Sequence, residues 1–235
     1  MRIIVDSDLH FTESGIRSDK AAHAAVIRDL ASKYNINAII CAGDLTDMGW
    51  DGKRFLCWQY GGAEDQVSPL RRWVEGLEAD AAPVYLATGN HDQYVPWPYR
   101  HKGVRDYVES KHGKLHYNWD YVTDGNIRYR AVCLDVYPDA TGRKYLAGVF
   151  AQYPDDRYII YFHYNLDGQY SDWWTEAEKT KFADMLAGRD IALIICGHWH
   201  INAHVKWRGY DVAMGAGSQV AMFTIYDSGV IMSEH

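Results

Sequence analysis

Asp, His and Asn recur in five short clusters of this chain: Asp8-Leu9-His10, Gly43-Asp44, Gly89-Asn90-His91-Asp92, His163 and Gly197-His198-Trp199-His200. Carboxylate, imidazole and amide oxygen together suit borderline divalent ions such as Mn, Fe(II), Zn or Co rather than Ca. There are more donors here than one ion needs, so two ions is the economical reading. Gathering such groups without a compensating cation is costly through repulsion and desolvation. Taken alone, a tetrapeptide like Gly89-Asn90-His91-Asp92 is more often an ordinary turn. The recurrence carries the argument.

Each cluster directly follows an apolar run of strand length: Arg2 to Val5, Asn37 to Cys41, Pro83 to Ala87, Arg157 to Phe162 and Ile191 to Cys196. In an open α/β sheet the C-terminal ends of strands converge on one edge, where ligands sit. Between the first two runs, Ser18 is placed to cap a helix whose Ile27, Leu30, Ala31 and Tyr34 recur at the helical period. Ser68-Pro69 predicts a second helix, with a cap followed by proline, burying Leu70, Trp73, Val74 and Leu77. Repeated strand–helix–strand units predict a parallel sheet with right-handed crossovers.

Further along, Ile127 to Val136 reads as a strand of a second sheet and Lys144 to Gln152 as a helix. Ser171 to Leu186 reads as another helix, with Thr175-x-x-Glu178 as a capping box. From Ala203 onward, short strands broken at Gly209, Gly215, Gly217 and Gly229 predict a meander closing a sheet. Residues 49–67 read as an irregular loop over the site. Residues 93–125 read as a substrate-facing insertion, with a short helix around Val104 to Ser110. No repeat or linker composition divides the chain, and one domain over 1–235 fits best.

Composition narrows the partners. A formal net charge of −7 argues against a dominant basic face for duplex nucleic acid. It leaves nucleotides and short single strands open, because bound cations reverse the sign of an acidic site. The 18 Tyr and 9 Trp supply enough ring surface to line a cleft as well as a core. Cys41, Cys57, Cys133 and Cys196 are widely spaced with no CxxC pair, which predicts reduced thiols in a cytoplasmic protein. The N-terminus runs straight into a strand without a signal-like apolar region. No apolar stretch approaches the roughly 18–20 residues of a membrane span.

The ordered set D-x-H, G-D, G-N-H-D/E, H and G-H-x-H resembles the calcineurin-like metallophosphoesterase superfamily, and it extends here from Asp8 to His200. The resemblance implies an α/β fold, a four-layer αββα sandwich of two packed mixed sheets flanked by helices. It also implies two divalent ions, Mn2+ or Fe2+ foremost, with Zn2+, Co2+ or Ni2+ as substitutes. Asp8, His10 and His200 would hold one ion; Asn90, His163 and His198 would hold the other; Asp44 would bridge them. A shared hydroxide would attack phosphorus in line. His91 would contact the phosphate and protonate the leaving oxygen, with Asp92 orienting its ring.

Two departures bear on substrate. The protein Ser/Thr phosphatases of the superfamily usually carry Arg where Met48 stands and Glu where Asp92 stands, so the chain looks more like the bacterial and phage phosphodiesterases. Those often have a second His and then Pro after the His163 position, where this chain has Tyr164-Asn165. The expected activity is phosphodiester hydrolysis on small nucleotides such as cyclic nucleotides, with Trp50, Trp58, Tyr94 and Trp97 as candidates to stack a base. A nuclease is the first alternative, resting on Arg100, Lys102, Arg105, Lys111 and Lys114. A broad phosphomonoesterase and a non-catalytic scaffold follow. Among the other polar residues, Asp6 reads as structural, and Asp47 as either a ligand orienter or a turn cap. His204 reads as a solvated strand histidine, and His23 and His235 carry no role. His101, His112 and His116 are undecided.

Overall fold

Arg2–Asp6 (β1), Ala38–Ala42 (β2) and Val84–Ala87 (β3) pair in parallel, joined by helices Ser18–Lys33 (α1) and Val67–Asp80 (α2). Residues 1–12, 18–49, 65–93, 103–113, 117–167 and 174–235 are described in the computed structural model. Antiparallel Ala221–Tyr226 (β10) and Gly229–Glu234 (β11) extend the first sheet to the order β11-β10-β1-β2-β3. The second sheet contains Asn118–Asp124 (β4), Ile127–Cys133 (β5), Arg157–Tyr161 (β6), Asp190–Cys196 (β7), Asn202–Trp207 (β8) and Tyr210–Gly215 (β9). Its order is β4-β5-β6-β7-β9-β8, with β5, β6, β7 and β9 parallel and both edge strands antiparallel. Helices Ala140–Gln152 (α4) and Glu176–Leu186 (α5) connect β5 to β6 and β6 to β7.

Three cores result, which is why the central strands are apolar on both faces. Ile4, Ile39 and Leu86 pack against Ile27, Trp73 and Leu77 of the first helix layer. Ile3, Val5 and Ile40 turn the other way and meet Ile159, Tyr161 and Leu193 between the sheets. Ile160 and Ile194 face Leu146, Phe150 and Phe182 beneath α4 and α5. The chain is therefore α/β, two mixed sheets sandwiched between helices.

Several local readings shift. The C-terminal strands do not form one meander, because β8–β9 joins the second sheet and β10–β11 the first. Asn118–Asp124, inside the stretch read as insertion, is the edge strand paired along its whole length with β5. The short helix of that stretch is Val104–His112 (α3). α2 starts at Val67, before Ser68; its N-cap residue Gln66 makes no side-chain cap bond, and Asp65 Oδ1, one residue further out, accepts from the Ser68 N–H at 2.9 Å. α4 starts earlier than its apolar pattern suggests, because Asp139 accepts from the Gly142 N–H at 2.6 Å. The Thr175 cap of α5 is present, accepting from Glu178 N–H at 3.3 Å.

Two histidines without an assigned role prove structural. Asp6 is buried at the end of β1, with Lys20 Nζ and His23 Nδ1 each 3.3 Å from its carboxylate. His23 Nε2 donates to the Ser218 carbonyl at 3.2 Å, and its hydrogen bond to Asp6 raises its pKa. His112 ends α3, stacks on Tyr85 and accepts from the Leu86 N–H at 3.2 Å. Burial, with Lys111 beside it, pushes its pKa down to about 4. An unfolded histidine titrates near ~6.5, so between there and about pH 4 the unfolded chain binds the extra proton and acid destabilises the fold. The loss through this group should reach ~3 kcal/mol. Urea midpoints of His112→Gln, followed from pH 7 to pH 4, should fall less steeply than those of the unsubstituted protein; parallel slopes would exclude His112 as the group responsible.

Candidate metal centre

The loops leaving β1, β2, β3, β6 and β7 meet between the two sheets. Asp8, His10, Asp44, His198 and His200 adopt left-handed backbone, with φ of 52°, 45°, 48°, 74° and 54°. For residues with a Cβ this costs of order 1–3 kcal/mol each, and it persists only where surrounding contacts over-determine the chain. The loops supply those contacts to one another. Asp8 N–H donates to Gly43 O at 2.9 Å, His10 N–H to Asp44 O at 3.0 Å, and Gly197 N–H to His163 O at 2.8 Å.

The side chains fall into overlapping groups, with Asp8, His10 and His200 in one and Asp44, His163 and His198 in another. His200 Nε2 approaches Asp8 Oδ1 to 3.3 Å, while Asp8 Oδ2 accepts from Ser7 Oγ at 2.6 Å and from His198 N–H at 2.9 Å. In the second group, His163 Nε2 lies 3.2 Å from Asp44 Oδ2, 3.0 Å from Asn90 Oδ1 and 3.2 Å from His198 Nδ1. His163 Nδ1 donates to the Ala42 carbonyl at 2.8 Å, which aims Nε2 into the cluster. His10 Nε2 is 3.9 Å from Asp44 Oδ2, so Asp44 faces both groups.

The donor set fits cations. Asp8 Oδ1 and His10 Nε2 are buried and make no hydrogen bond, although buried polar atoms are nearly always bonded. Burial lowers the pKa of His10 and of His198, which favours the neutral, lone-pair form. At His163 burial opposes the charge, yet the hydrogen bond to Asp44 raises the pKa to about 9. At Asp44 burial likewise opposes the charge, but the His163 contact holds its pKa below the ordinary value.

Two glycines make room for the cluster. Gly43 has φ +89°, and a Cβ there would come within 2.7 Å of the His163 ring. A Cβ on Gly89 would overlap the carboxylate and backbone nitrogen of Asp44.

His91 stands beside the cluster, 30% exposed, with Nε2 4.0 Å from Asp44 Oδ2 and its ring edge-on to His10 at 4.6 Å. Its backbone N–H donates to Asp44 Oδ1 at 2.8 Å. The expected ring partner is corrected: Asp92 does not orient His91. Asp92 Oδ2 accepts from Leu45 N–H at 3.0 Å and Gly89 N–H at 2.8 Å, and its Oδ1 accepts from the N–H and hydroxyl of Thr46, each at 2.9 Å. Both carboxylate oxygens are thereby used in pinning the Gly43 and Gly89 loops together. Burial and the Asp44 charge raise its pKa to about 6 against those three N–H donors. The orienter of His91 is Asp47, whose carbonyl accepts from Nδ1 at 2.9 Å. The Asp47 carboxylate lies 3.5 Å from His10 Nδ1 and 3.8 Å from His91 Nδ1. Ser7, next to Asp8, is a further participant that its sequence position alone does not reveal.

Other candidates stand apart. His204 Nε2 pairs with Asp211 at 2.8 Å across the β8–β9 hairpin. Tyr164 sets its ring edge-on to His198, 5.0 Å between centroids, and Asn165 Nδ2 donates to Met214 Sδ at 3.0 Å. Arg105 is buried and Lys111 pairs with Glu78, so neither offers a free cation to a nucleic-acid track. Trp50, Trp58, Tyr94, Trp97, Arg100, His101, Lys102, Lys114 and His116 lie outside the described residues.

Comparison with known proteins places the chain in a family and a fold. The family model for calcineurin-like phosphoesterases matches residues 1–202. Among solved structures, a dimetal phosphatase from Danio rerio superposes with a TM-score of 0.68 at 12% identity, over 100% of this chain and 95% of that one. GAP50, the anchor in the inner membrane complex of Plasmodium, gives 0.66 at 10% identity over 100% and 84%. TT1561 of Thermus thermophilus gives 0.61 at 12% identity over 99% and 98%. At such identities these structures share the fold and nothing finer. No curated protein matches significantly by sequence. The family match covers every one of the five clusters, and the chain belongs to the calcineurin-like phosphoesterases, the metal-dependent hydrolases of phosphate esters.

Proposed function

We propose that the protein is a two-metal phosphodiesterase of small nucleotides such as cyclic nucleotides, with Mn2+ or Fe2+ as its native ions. The observation that carries this reading is the pair of orphaned buried atoms, Asp8 Oδ1 and His10 Nε2, facing an already complete set of nitrogen and oxygen donors. Asp8, His10 and His200 would hold one cation and Asn90, His163 and His198 the other, with Asp44 a donor to both. Bound there, the cations supply Lewis acidity and a nucleophilic water active near neutral pH. Neutral imidazole is the form that binds a metal, so affinity should weaken in acid.

The remaining chemistry belongs to side chains. With Nδ1–H tied to the Asp47 carbonyl, His91 presents Nε2 toward the cleft and holds there the proton that the leaving oxygen needs. Asp92 keeps the two loops in register and leaves the proton to His91. Met48 and Asp92 stand where protein phosphatases carry other residues, which favours a small diester. Among the described residues, Arg105 is buried and Lys111 pairs with Glu78, so neither supplies a free cation for a long polyanion.

We take residues 1–235 as one domain with a substrate-facing insertion around residues 93–125, of which Asn118–Asp124 forms the edge strand β4. We also place the protein in the cytoplasm, since Cys41, Cys133 and Cys196 are free buried thiols. Among the described residues no helix is long and apolar enough to cross a membrane.

A substrate panel tests the activity. Treatment with EDTA should abolish hydrolysis of bis-p-nitrophenyl phosphate, and Mn2+ should restore it. The restored protein should then cleave 2′,3′- or 3′,5′-cyclic nucleotides faster than p-nitrophenyl phosphate or single-stranded oligonucleotides. Turnover without metal would overturn the mechanism, and a preference for the monoester or for oligonucleotides would overturn the substrate class.

A further inference from the structure

We propose that Asp135, which lies outside all five clusters, is a positioning residue for the second cation position and acts through Asn90 and His163. The inference rests on the two-metal reading above. Asp135 follows β5 and is buried, and its φ of 60° is left-handed without being glycine. A buried carboxylate and a left-handed backbone both cost stability, and such costs persist where they serve a local constraint.

The contacts define that constraint. The hydroxyl of Thr88, fully buried at the exit of β3, donates to Asp135 Oδ1. Thr88 is two residues before Asn90. On its other side, the Asp135 carbonyl and the neighbouring Val136 carbonyl share the His163 N–H, at 3.2 and 3.1 Å. One residue thus ties the exit of β3 in the first sheet to the exit of β6 in the second. Asn90, two residues beyond Thr88, and His163 bring Oδ1 and Nε2 to 3.0 Å of each other. Both ends of the tie therefore fall on the same group of donors. The tie spans the gap between the sheets, so it fixes a distance that neither sheet alone determines. Partners of this kind orient ligands, and losing one typically weakens metal binding 10–100-fold.

The backbone half of the tie survives any substitution, so the test targets the side-chain half. Mn2+ binding should be followed by calorimetry and by electron paramagnetic resonance on the unsubstituted protein, Asp135→Ala, Asp135→Asn and Thr88→Val. The unsubstituted protein should bind two Mn2+ per chain with the spectrum of an interacting pair; fewer than two would overturn the two-metal reading itself. Asp135→Ala should keep the first ion, bind the second about 10–100-fold more weakly and lose the pair spectrum. Thr88→Val, close in shape, should behave in the same way, and it decides the question if Asp135→Ala does not fold. Asp135→Asn keeps an oxygen for the Thr88 hydroxyl and should restore the pair. The inference fails if Asp135→Ala or Thr88→Val binds both ions normally, if both ions weaken equally, or if Asp135→Asn is as impaired as Asp135→Ala.

Discussion

Asp44→Ala should leave the protein folded, unable to retain either cation, and slower in kcat/KM by about 10³-fold or more. Losing a single preorganised electrostatic group typically costs about 10²–10³-fold, and Asp44 faces both halves of the site. It lies 3.2 Å from His163 Nε2 and 3.9 Å from His10 Nε2, and it accepts the His91 N–H at 2.8 Å. Alanine therefore removes a shared donor and also frees the loop that carries His91. Asp44→Asn separates these effects, because an amide oxygen can still accept from His91 while its NH2 offers no lone pair toward His163. Both variants should bind less than one ion per chain by elemental analysis. Mn2+ should raise the melting temperature of the unsubstituted protein and leave that of either variant unmoved, since stabilisation by a ligand requires a site in the folded state. Retention of two ions by Asp44→Asn would show that the bridge is not needed.

The two-sheet architecture was legible because buried strands are uninterrupted apolar runs. Placing polar residues directly after five such runs is a pattern that solvated loops do not produce. What could not be read lies in non-local pairing and in the backbone. Strand β9 inserts beside β7 and leaves its sequence neighbour β8 at the edge, a choice governed by packing between layers. Asp92 adjoins His91 in sequence, but the 3-10 turn His91–Gln93 directs it inward while His91 stays partly exposed beside the cluster. Side-chain types suggested a carboxylate–imidazole pair there. The orienting acceptor is instead the main-chain carbonyl of Asp47, which has no signature in residue type. Asp135 was invisible for a similar reason: its contacts are to a hydroxyl and to a backbone N–H on different sheets. Local capping was read more successfully at Thr175 than at Ser68, where Asp65 three residues earlier supplies the acceptor.

That reassignment of partners sharpens the expected behaviour of His91. His91→Ala should retain both cations, because the backbone N–H that meets Asp44 is unchanged and the ring is only edge-on to His10. General acid catalysis is worth about 10²–10⁴-fold, and it matters in proportion to how poorly the leaving oxygen bears charge. A nitrophenolate leaves with little help, whereas the alkoxide released from a nucleotide diester needs a proton. The variant should therefore lose little rate on bis-p-nitrophenyl phosphate and about 10²-fold or more on alkyl or nucleoside esters. Asp47→Ala keeps the carbonyl that accepts from Nδ1 and loses only a carboxylate 3.8 Å away, so its deficit should be much smaller. Loss of an ion from His91→Ala would make His91 a ligand, as its nearness to His10 and Asp44 allows. Equal losses across all leaving groups, with both ions retained, would mean that its charge and not its proton serves the reaction.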